Sequence, residues 1–488
     1  MTPNIHIREI STTSSQFFIT TAIQGYKLLK NLPQEIVKNV EIKAKKEEFI
    51  GKSGESLHLE YITDDMVKHI YVIGLGEKKN IQASKVRNSI IQAVHLALRV
   101  KAAEIEVFDD QSGLSVRSLV EALTIGTYTF DRFLGVGHKK KHPPIRDVNL
   151  IIKKTPQIES EIQKGIQTAE AQMLSRDLVN TPASHMHPEI MLKHAYEIEK
   201  KSKGLVTVEV LKKSDCEKLG MGAFLGVAEG SDHPAYFIVL HYKGNGKKTV
   251  SLVGKSITFD SGGLSLKPGD SMMDMKIDMA GGATVLGIFD FLASAGPKIS
   301  AFGSIYGLLP ACENMPSGKA MKPGDIVTAL NGKTIEVLNT DAEGRLALAD
   351  ALVYAEKNLK SDYIIDLATL TGACMVALGN DLAGLFSNND QFEKLYHPYA
   401  DEVSDLYWRL PLQETYVKQM KSKIADLKNI GGGRYGGAIT AALFLKEFVQ
   451  KAHWMHIDIA GPAHTDSTGA SGWGVVSIIH FLEEQKEL

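Results

Sequence analysis

Apolar positions along the chain fall into two alternating patterns. Unbroken apolar runs occur at Tyr71-Val72-Ile73-Gly74-Leu75-Gly76, Val250-Ser251-Leu252-Val253, Tyr363 to Ala368 and Met455 to Ile459. Their length and branched content predict strands buried on both faces. Between such runs, Ile90 to Val100, Ala283 to Leu292, Leu346 to Ala355 and Ala438 to Phe448 carry apolar residues at helical spacing. Glu104-Ile105-Glu106-Val107 alternates like a strand, Ile299 to Leu309 predicts a strand carrying glycines, and Ile335 to Leu338 predicts another. Strands alternating with helices predict an α/β fold with a mostly parallel central sheet covered by helices. In such sheets ligands bind beyond the carboxyl ends of the strands.

The longest helical pattern places Ile158, Ile162, Ile166, Ala169, Met173 and Leu178 on one side and is predicted to stop before Asn180-Thr181-Pro182. A chain of 488 residues exceeds what one core ordinarily serves, so two domains are expected. The reading is a smaller N-terminal α/β domain over 1–155, a connecting helix over 156–180 and a larger domain over 181–488. Gly135 to Pro144, rich in Gly, Lys, His and Pro, predicts an exposed loop.

Composition narrows the class. With 44% hydrophobic and 23% charged residues the chain is expected to be globular. The 55 Lys+Arg against 57 Asp+Glu leave no electrostatic footprint of a dedicated nucleic-acid or anionic-membrane binder, and the run Lys139, Lys140 and Lys141 reads as a solvated loop. Three scattered cysteines, Cys216, Cys312 and Cys374, argue against a disulfide framework and for a reducing compartment. No signal-peptide pattern and no run of ~20 apolar residues is evident, so a cytoplasmic protein with no membrane partner is expected.

Three segments concentrate chemistry. Leu252 to Gly263 takes Lys255 and Asp260 out of a buried strand into a glycine-rich loop. Met275-Lys276-Ile277-Asp278-Met279 sets an acid among apolar residues, and Asn339-Thr340-Asp341-Ala342-Glu343-Gly344-Arg345-Leu346 sets two acids and an arginine between strand and helix. The plainer reading of the third is helix capping, with Thr340 or Asp341 as N-cap and Glu343 at the positive end of the dipole; Asp278 alone reads equally well as an N-cap. Capping does not account for Lys255, nor for so many acids placed where strands are predicted to end. If the four acids converge, they cannot all stay ionised without counter-charge. Two divalent cations supply it, and oxygen ligands suit Mn²⁺, Mg²⁺ or Zn²⁺.

These segments resemble the leucyl aminopeptidase (cytosol aminopeptidase) family, whose signature is Asn339-Thr340-Asp341-Ala342-Glu343-Gly344-Arg345-Leu346. Gly254 to Gly263, Met275 to Met279, Thr369-Leu370-Thr371-Gly372 and Ile457-Asp458-Ile459-Ala460-Gly461 match the same family in order and spacing. The likeness runs from about Leu174 to near the end; Ser256 and Gly436 depart from the usual pattern without touching a ligand position. It implies an aminopeptidase in which Asp260, Asp341 and Glu343 hold an exchangeable metal, and Lys255, Asp260, Asp278 and Glu343 hold a tighter one. Mn²⁺ or Zn²⁺ would activate a water that attacks the peptide carbonyl. The likeness also implies that Lys267 stabilises the oxyanion and that Arg345 holds a bicarbonate acting as general base. Met275, Asn339, Thr369, Leu370, Gly372 and Ala460 match positions around the first substrate residue; most are apolar or small, and an apolar pocket favours Leu or Met. Peptides with a free N-terminus are the implied substrates, and a homohexamer the implied assembly. On the residues alone, Lys267 reads as a solvated loop lysine, Arg345 as an exposed residue of the first helical turn, and the pocket residues as core.

Other signals weigh less. Gly431-x-Gly433-x-x-Gly436 matches a dinucleotide fingerprint but follows no clear buried strand, and two Gly-Lys-Ser triplets lack the upstream glycine of a phosphate loop. No H-E-x-x-H or G-x-S-x-G occurs. Among His185, His187, His453, His456 and His464 no pair stands in a recognised metal spacing with an acid, so core or surface roles are expected. A two-metal phosphatase is the rival enzyme, which a substrate panel separates. DNA binding, known for some bacterial members of this family, is the rival class; the charge balance does not support it and a salt-dependent gel shift decides it.

Overall fold

A computed structural model describes residues 2–11, 15–25, 27–28, 32–63, 66–109, 112–135, 144–295, 299, 301–433, 435–465 and 469–485. Lys139, Lys140 and Lys141, with most of the predicted loop at 135–144, lie outside the described residues. The chain divides into two compact units, residues 1–170 with 401–404 and residues 171–400 with 405–488. The division falls inside the helix Pro156–Asn180.

The first unit is built on strands β1 (Asn4–Arg8), β2 (Phe17–Ile23), β3 (Lys27–Leu28), β4 (Ser56–Thr63), β5 (Met66–Gly76), β6 (Glu104–Phe108) and β7 (Asp147–Ile151). They form one sheet in the order β1-β7-β6-β2-β5-β4, with β3 beside β2; β4 pairs antiparallel with β5 at the edge. Alternation along β5 explains its apolar run. Tyr71, Ile73 and Leu75 pack with the helices Ala83–Arg99 and Val116–Gly126, while Ile70 and Val72 pack with the helix Gln34–Lys46.

The second unit holds β8 (Val206–Lys212), β9 (Tyr236–Lys243), β10 (Lys248–Gly254), β11 (Ser256–Asp260), β12 (Phe302–Asn314), β13 (Ile326–Thr328), β14 (Thr334–Glu336), β15 (Tyr363–Ala368), β16 (Ala383–Ser387), β17 (Tyr407–Arg409), β18 (Leu427–Lys428) and β19 (His453–Asp458). The main sheet runs β17-β16-β19-β15-β10-β12-β9-β8, with β11 beside β12. Pairs β10–β12, β10–β15 and β15–β19 are parallel, whereas β9 and β16 join antiparallel. Both faces are covered. Leu252, Ile365 and Ile457 pack into one core with the helices Ala280–Ala295 and Val475–Glu484; Val253, Ile364 and Trp454 pack into another with Gly344–Lys357 and Gly437–Lys446. That is why these strands read as unbroken apolar runs. The segment Gly269–Ser294 is long and apolar enough for a membrane span, but 83% of its apolar window is buried in this core.

The structure adjusts several expected boundaries. The predicted strand at 299–309 is Phe302–Asn314, and Ile335 to Leu338 contracts to Thr334–Glu336. Of the four acids only Asp260 ends a strand. Asp278 follows the short 3-10 turn Met275–Ile277, and Asp341 lies five residues beyond β14.

Candidate active site

The parallel strands β10, β15 and β19 end side by side, Gly254 opposite Leu367 and Ala368 opposite Asp458. The residues that follow them, Lys255, Thr369 and Ala460, therefore emerge at one sheet edge, and Asp260 and Asn314 arrive there from the ends of β11 and β12.

Two lysines organise four carboxylates. Lys255, 3% exposed, sets Nζ at 2.7 Å from Asp278 Oδ1 and 2.9 Å from Glu343 Oε1, and donates to the Thr369 carbonyl at 3.1 Å. Lys267 sets Nζ at 3.0 Å from Asp260 Oδ2 and 2.5 Å from Asp341 Oδ1. Asp260, Asp278 and Glu343 are buried and offer oxygens within 4.8 Å of one another. Asp260 Oδ1 accepts from the Gly262 amide and from Asn314 Nδ2, both at 2.8 Å. Gly262 sits at φ +85, and a Cβ there would stand 2.8 Å from Asp341 Oδ1; glycine lets this loop fold under the acid.

The capping reading fails here. The helix Gly344–Lys357 has Glu343 as N-cap in helical conformation with no side-chain cap bond, so its carboxylate is free to face Lys255. Asp278 instead accepts from Thr369 Oγ1 at 2.8 Å, and its Oδ2 is buried without a hydrogen bond. The solvated-loop reading of Lys267 fails too, since its side chain is 14% exposed and doubly ion-paired. Arg345 is buried, not exposed; one guanidinium nitrogen donates to the Asn429 carbonyl at 2.9 Å while Nε has no hydrogen bond.

Electrostatics follow from four acids sharing two lysines. Burial together with Glu343 raises Asp260 to about 6 against the pull of both lysines, and burial raises Asp278 well above the carboxylate range and Asp341 less so. Burial by itself would lower Lys255 and Lys267, but the facing carboxylates outweigh it and hold both raised. Burial brings Arg345 down to about 10. The deficit of positive charge and the unbonded Asp278 oxygen make this a donor set that fits divalent cations.

A second ring of residues holds the first. Asp458 Oδ1 accepts from the amides of Leu370 at 3.0 Å and Ala460 at 3.2 Å, and Oδ2 accepts from Thr371 Oγ1 at 2.6 Å. Asn429 Oδ1 accepts from the Leu338 amide at 2.9 Å, and its Nδ2 donates to the Asn339 carbonyl at 2.6 Å. Asn314 and Asn429 escaped the sequence reading because a lone asparagine carries no spacing signal. Of the pocket residues, Asn339, Thr369, Leu370 and Ala460 are tied to this network directly. Met275 stands in the turn before Asp278, Asn339 two residues before Asp341, and Gly372 exposed at the start of the helix Gly372–Leu378.

Residues 173–479, which contain every one of these groups, match the catalytic domain of the cytosol aminopeptidase family, and residues 22–135 match its N-terminal domain. The chain belongs to the cytosol aminopeptidase family. It is accordingly an aminopeptidase, a hydrolase of the metallo-exopeptidase kind. A probable cytosol aminopeptidase of Gloeobacter violaceus is 40% identical over 462 residues, 90% of each chain, and one of Clostridium perfringens is 39% identical over 472 residues, 93% of this chain and 94% of that one. A mutant tomato leucine aminopeptidase superposes with a TM-score of 0.86 at 34% identity, covering 99% of this chain and 97% of that one. The bottromycin maturation enzyme BotP in complex with Mn superposes at 0.83 with 30% identity, covering 96% and 99%. The cytosol aminopeptidase fold is thus shared over nearly the whole length.

Proposed function

We propose that this aminopeptidase removes leucine and other apolar N-terminal residues from peptides through two divalent metal ions held by Lys255, Asp260, Asp278, Asp341 and Glu343. The observation that carries the reading is the convergence of four carboxylates on only two lysines. Lys255, Asp260, Asp278 and Glu343 would hold the tighter ion, and Asp260, Asp341 and Glu343 the more exchangeable one; Mn²⁺ or Zn²⁺ suits the donors. Bound ions of this kind supply Lewis acidity, lowering the pKa of water and polarising a carbonyl.

The protein's own groups complete the chemistry. Lys255 can ligate only as a neutral amine, so its raised pKa means that metal uptake releases a proton. Lys267 stays cationic and donates to the oxyanion that develops on the peptide carbonyl. Arg345, with an unbonded Nε, would hold a bicarbonate, which would supply the general base. Asp458 fixes the Leu370–Thr371 turn and Ala460, which with Met275, Asn339, Thr369 and Gly372 would form the side-chain pocket. A free substrate amine is required. Leucine p-nitroanilide should therefore turn over and its N-acetyl derivative should not; equal turnover would mark a general amidase.

Family likeness also supports a hexamer. Leu266, Met273 and Val376, 60%, 76% and 87% exposed, flank the site and are apolar surface for a neighbour to cover. Light scattering of a fully active, stable monomer would refute it.

A further inference from the structure

Among the described residues a second group of metal-type ligands lies in the N-terminal unit, in the edge hairpin formed by β4 and β5. We propose that His58, Glu60 and His69 form a separate metal site there, one that takes a borderline transition ion of the Zn²⁺ type.

Strand geometry brings the three together. His58 and Glu60 stand two apart on β4, so both point to the face opposite the buried Leu57 and Leu59, and Glu60 is the direct cross-strand partner of His69. His58 Nε2 lies 3.3 Å from His69 Nδ1, and His69 Nδ1 lies 3.4 Å from Glu60 Oε1; all three donor atoms fall within 4.8 Å. In a tetrahedral zinc site with bonds of ~2.0–2.1 Å, neighbouring ligand atoms sit about 3.3–3.4 Å apart. The two separations at His69 have this length, the third side of the triangle lies within 4.8 Å, and a small turn of the His58 ring, now within 10° of parallel to His69, would admit the ion.

Rigidity and access are both present. His69 is buried and stacked on Phe17 with ring centroids 6.0 Å apart, while Glu60 is exposed, so one ligand is fixed and a fourth position opens to water. Lys43 and Arg99 act on His58 as cations, opposed by the Glu60 carboxylate. Affinity must therefore come from imidazole nitrogen bonding rather than net charge, which selects Zn²⁺, Co²⁺ or Ni²⁺ over Mg²⁺ and Ca²⁺. The site shares no residue with the aminopeptidase centre and does not depend on that reading.

The test is zinc content of the full-length protein after chelation and dialysis against Zn²⁺, for the parent, His58→Gln and Glu60→Gln. Both positions are at least partly solvent-exposed, and the substitutions keep polarity, so the fold is retained. Each variant should hold one zinc equivalent less than the parent while hydrolysing leucine p-nitroanilide at the parent rate. The difference between parent and variant reads this site alone, whatever the total at the catalytic centre. Equal zinc in all three proteins would overturn the proposal and leave the His58–His69 contact as a hydrogen bond between two rings.

Discussion

Gly344→Ala isolates the placement of Lys255 with a single methyl group. Gly344 opens the helix Gly344–Lys357 directly under the lysine stem, and a Cβ there would stand 2.3 Å from Lys255 Cε, 2.6 Å from Nζ and 2.8 Å from Cδ. Non-bonded carbons settle at about 3.5–4.0 Å, so the stem must retreat by more than about 1 Å. Nζ now spans Asp278 and Glu343 at 2.7 and 2.9 Å, and a retreat of that size takes both pairs beyond hydrogen-bond reach. Misplacing a reacting group by about 1 Å costs ~10²-fold in rate. Unfolding is not the expected cause, because an overpacking cost of about 1–3 kcal/mol is a fraction of the ~5–15 kcal/mol by which folded proteins are ordinarily stable. Turnover of leucine p-nitroanilide, metal content and a thermal melt decide the matter. The variant should stay folded, lose kcat/KM by ~10²-fold or more and bind less metal. A rate within twofold of the parent at full metal content would refute the reasoning.

Two further predictions separate chemistry from scaffold. Lys255→Met should lower the metal stoichiometry or weaken the tighter site, whereas Lys267→Met should keep both ions and lose ~10²–10³ in rate, the cost of one oxyanion donor; elemental analysis showing two tightly held ions in Lys255→Met would remove that residue from the ligand set. His456→Gln tests the buried pair beneath the site, where His456 Nδ1 lies 2.5 Å from Asp366 Oδ1 and Trp454 Nε1 donates to Oδ2 at 2.6 Å. Breaking such a pair costs about 3–5 kcal/mol. Burial would lower His456, but Asp366 overrides it and holds the folded value raised, so the pair's stability is complete below about pH 6.5 and is lost as pH rises through the raised value. The Tm gap between parent and variant should therefore be widest in acid and narrow in alkali; parallel pH profiles would contradict it.

What the sequence could convey follows from what each residue faces. Central strands β10, β15 and β19 were legible because burial on both faces writes unbroken apolar runs, whereas β8, β9, β16 and β17 at the margins write weaker patterns. Lys255 and Asp260 stood out as charges leaving an apolar strand. Asp341 and Glu343 remained ambiguous in isolation, since acids before a helix usually cap it; only the absent cap bond and the facing lysines remove that alternative. Asn314, Asn429 and the role of Asp458 depend on contacts between distant segments, 54 to 90 residues apart. His58 and Glu60 form a visible alternating pair, but His69 joins them through hairpin register rather than through spacing along the chain.

The central claim is that four carboxylates and a lysine bind two ions and that catalysis needs both. Mn²⁺, which favours oxygen donors and so bypasses an imidazole-rich site, is the ion to titrate into chelator-stripped protein while leucine p-nitroanilide turnover is followed. The account predicts no turnover without metal and a rate that reaches its plateau at two equivalents per chain. Full activity in the stripped protein, or a plateau at one equivalent, would contradict it.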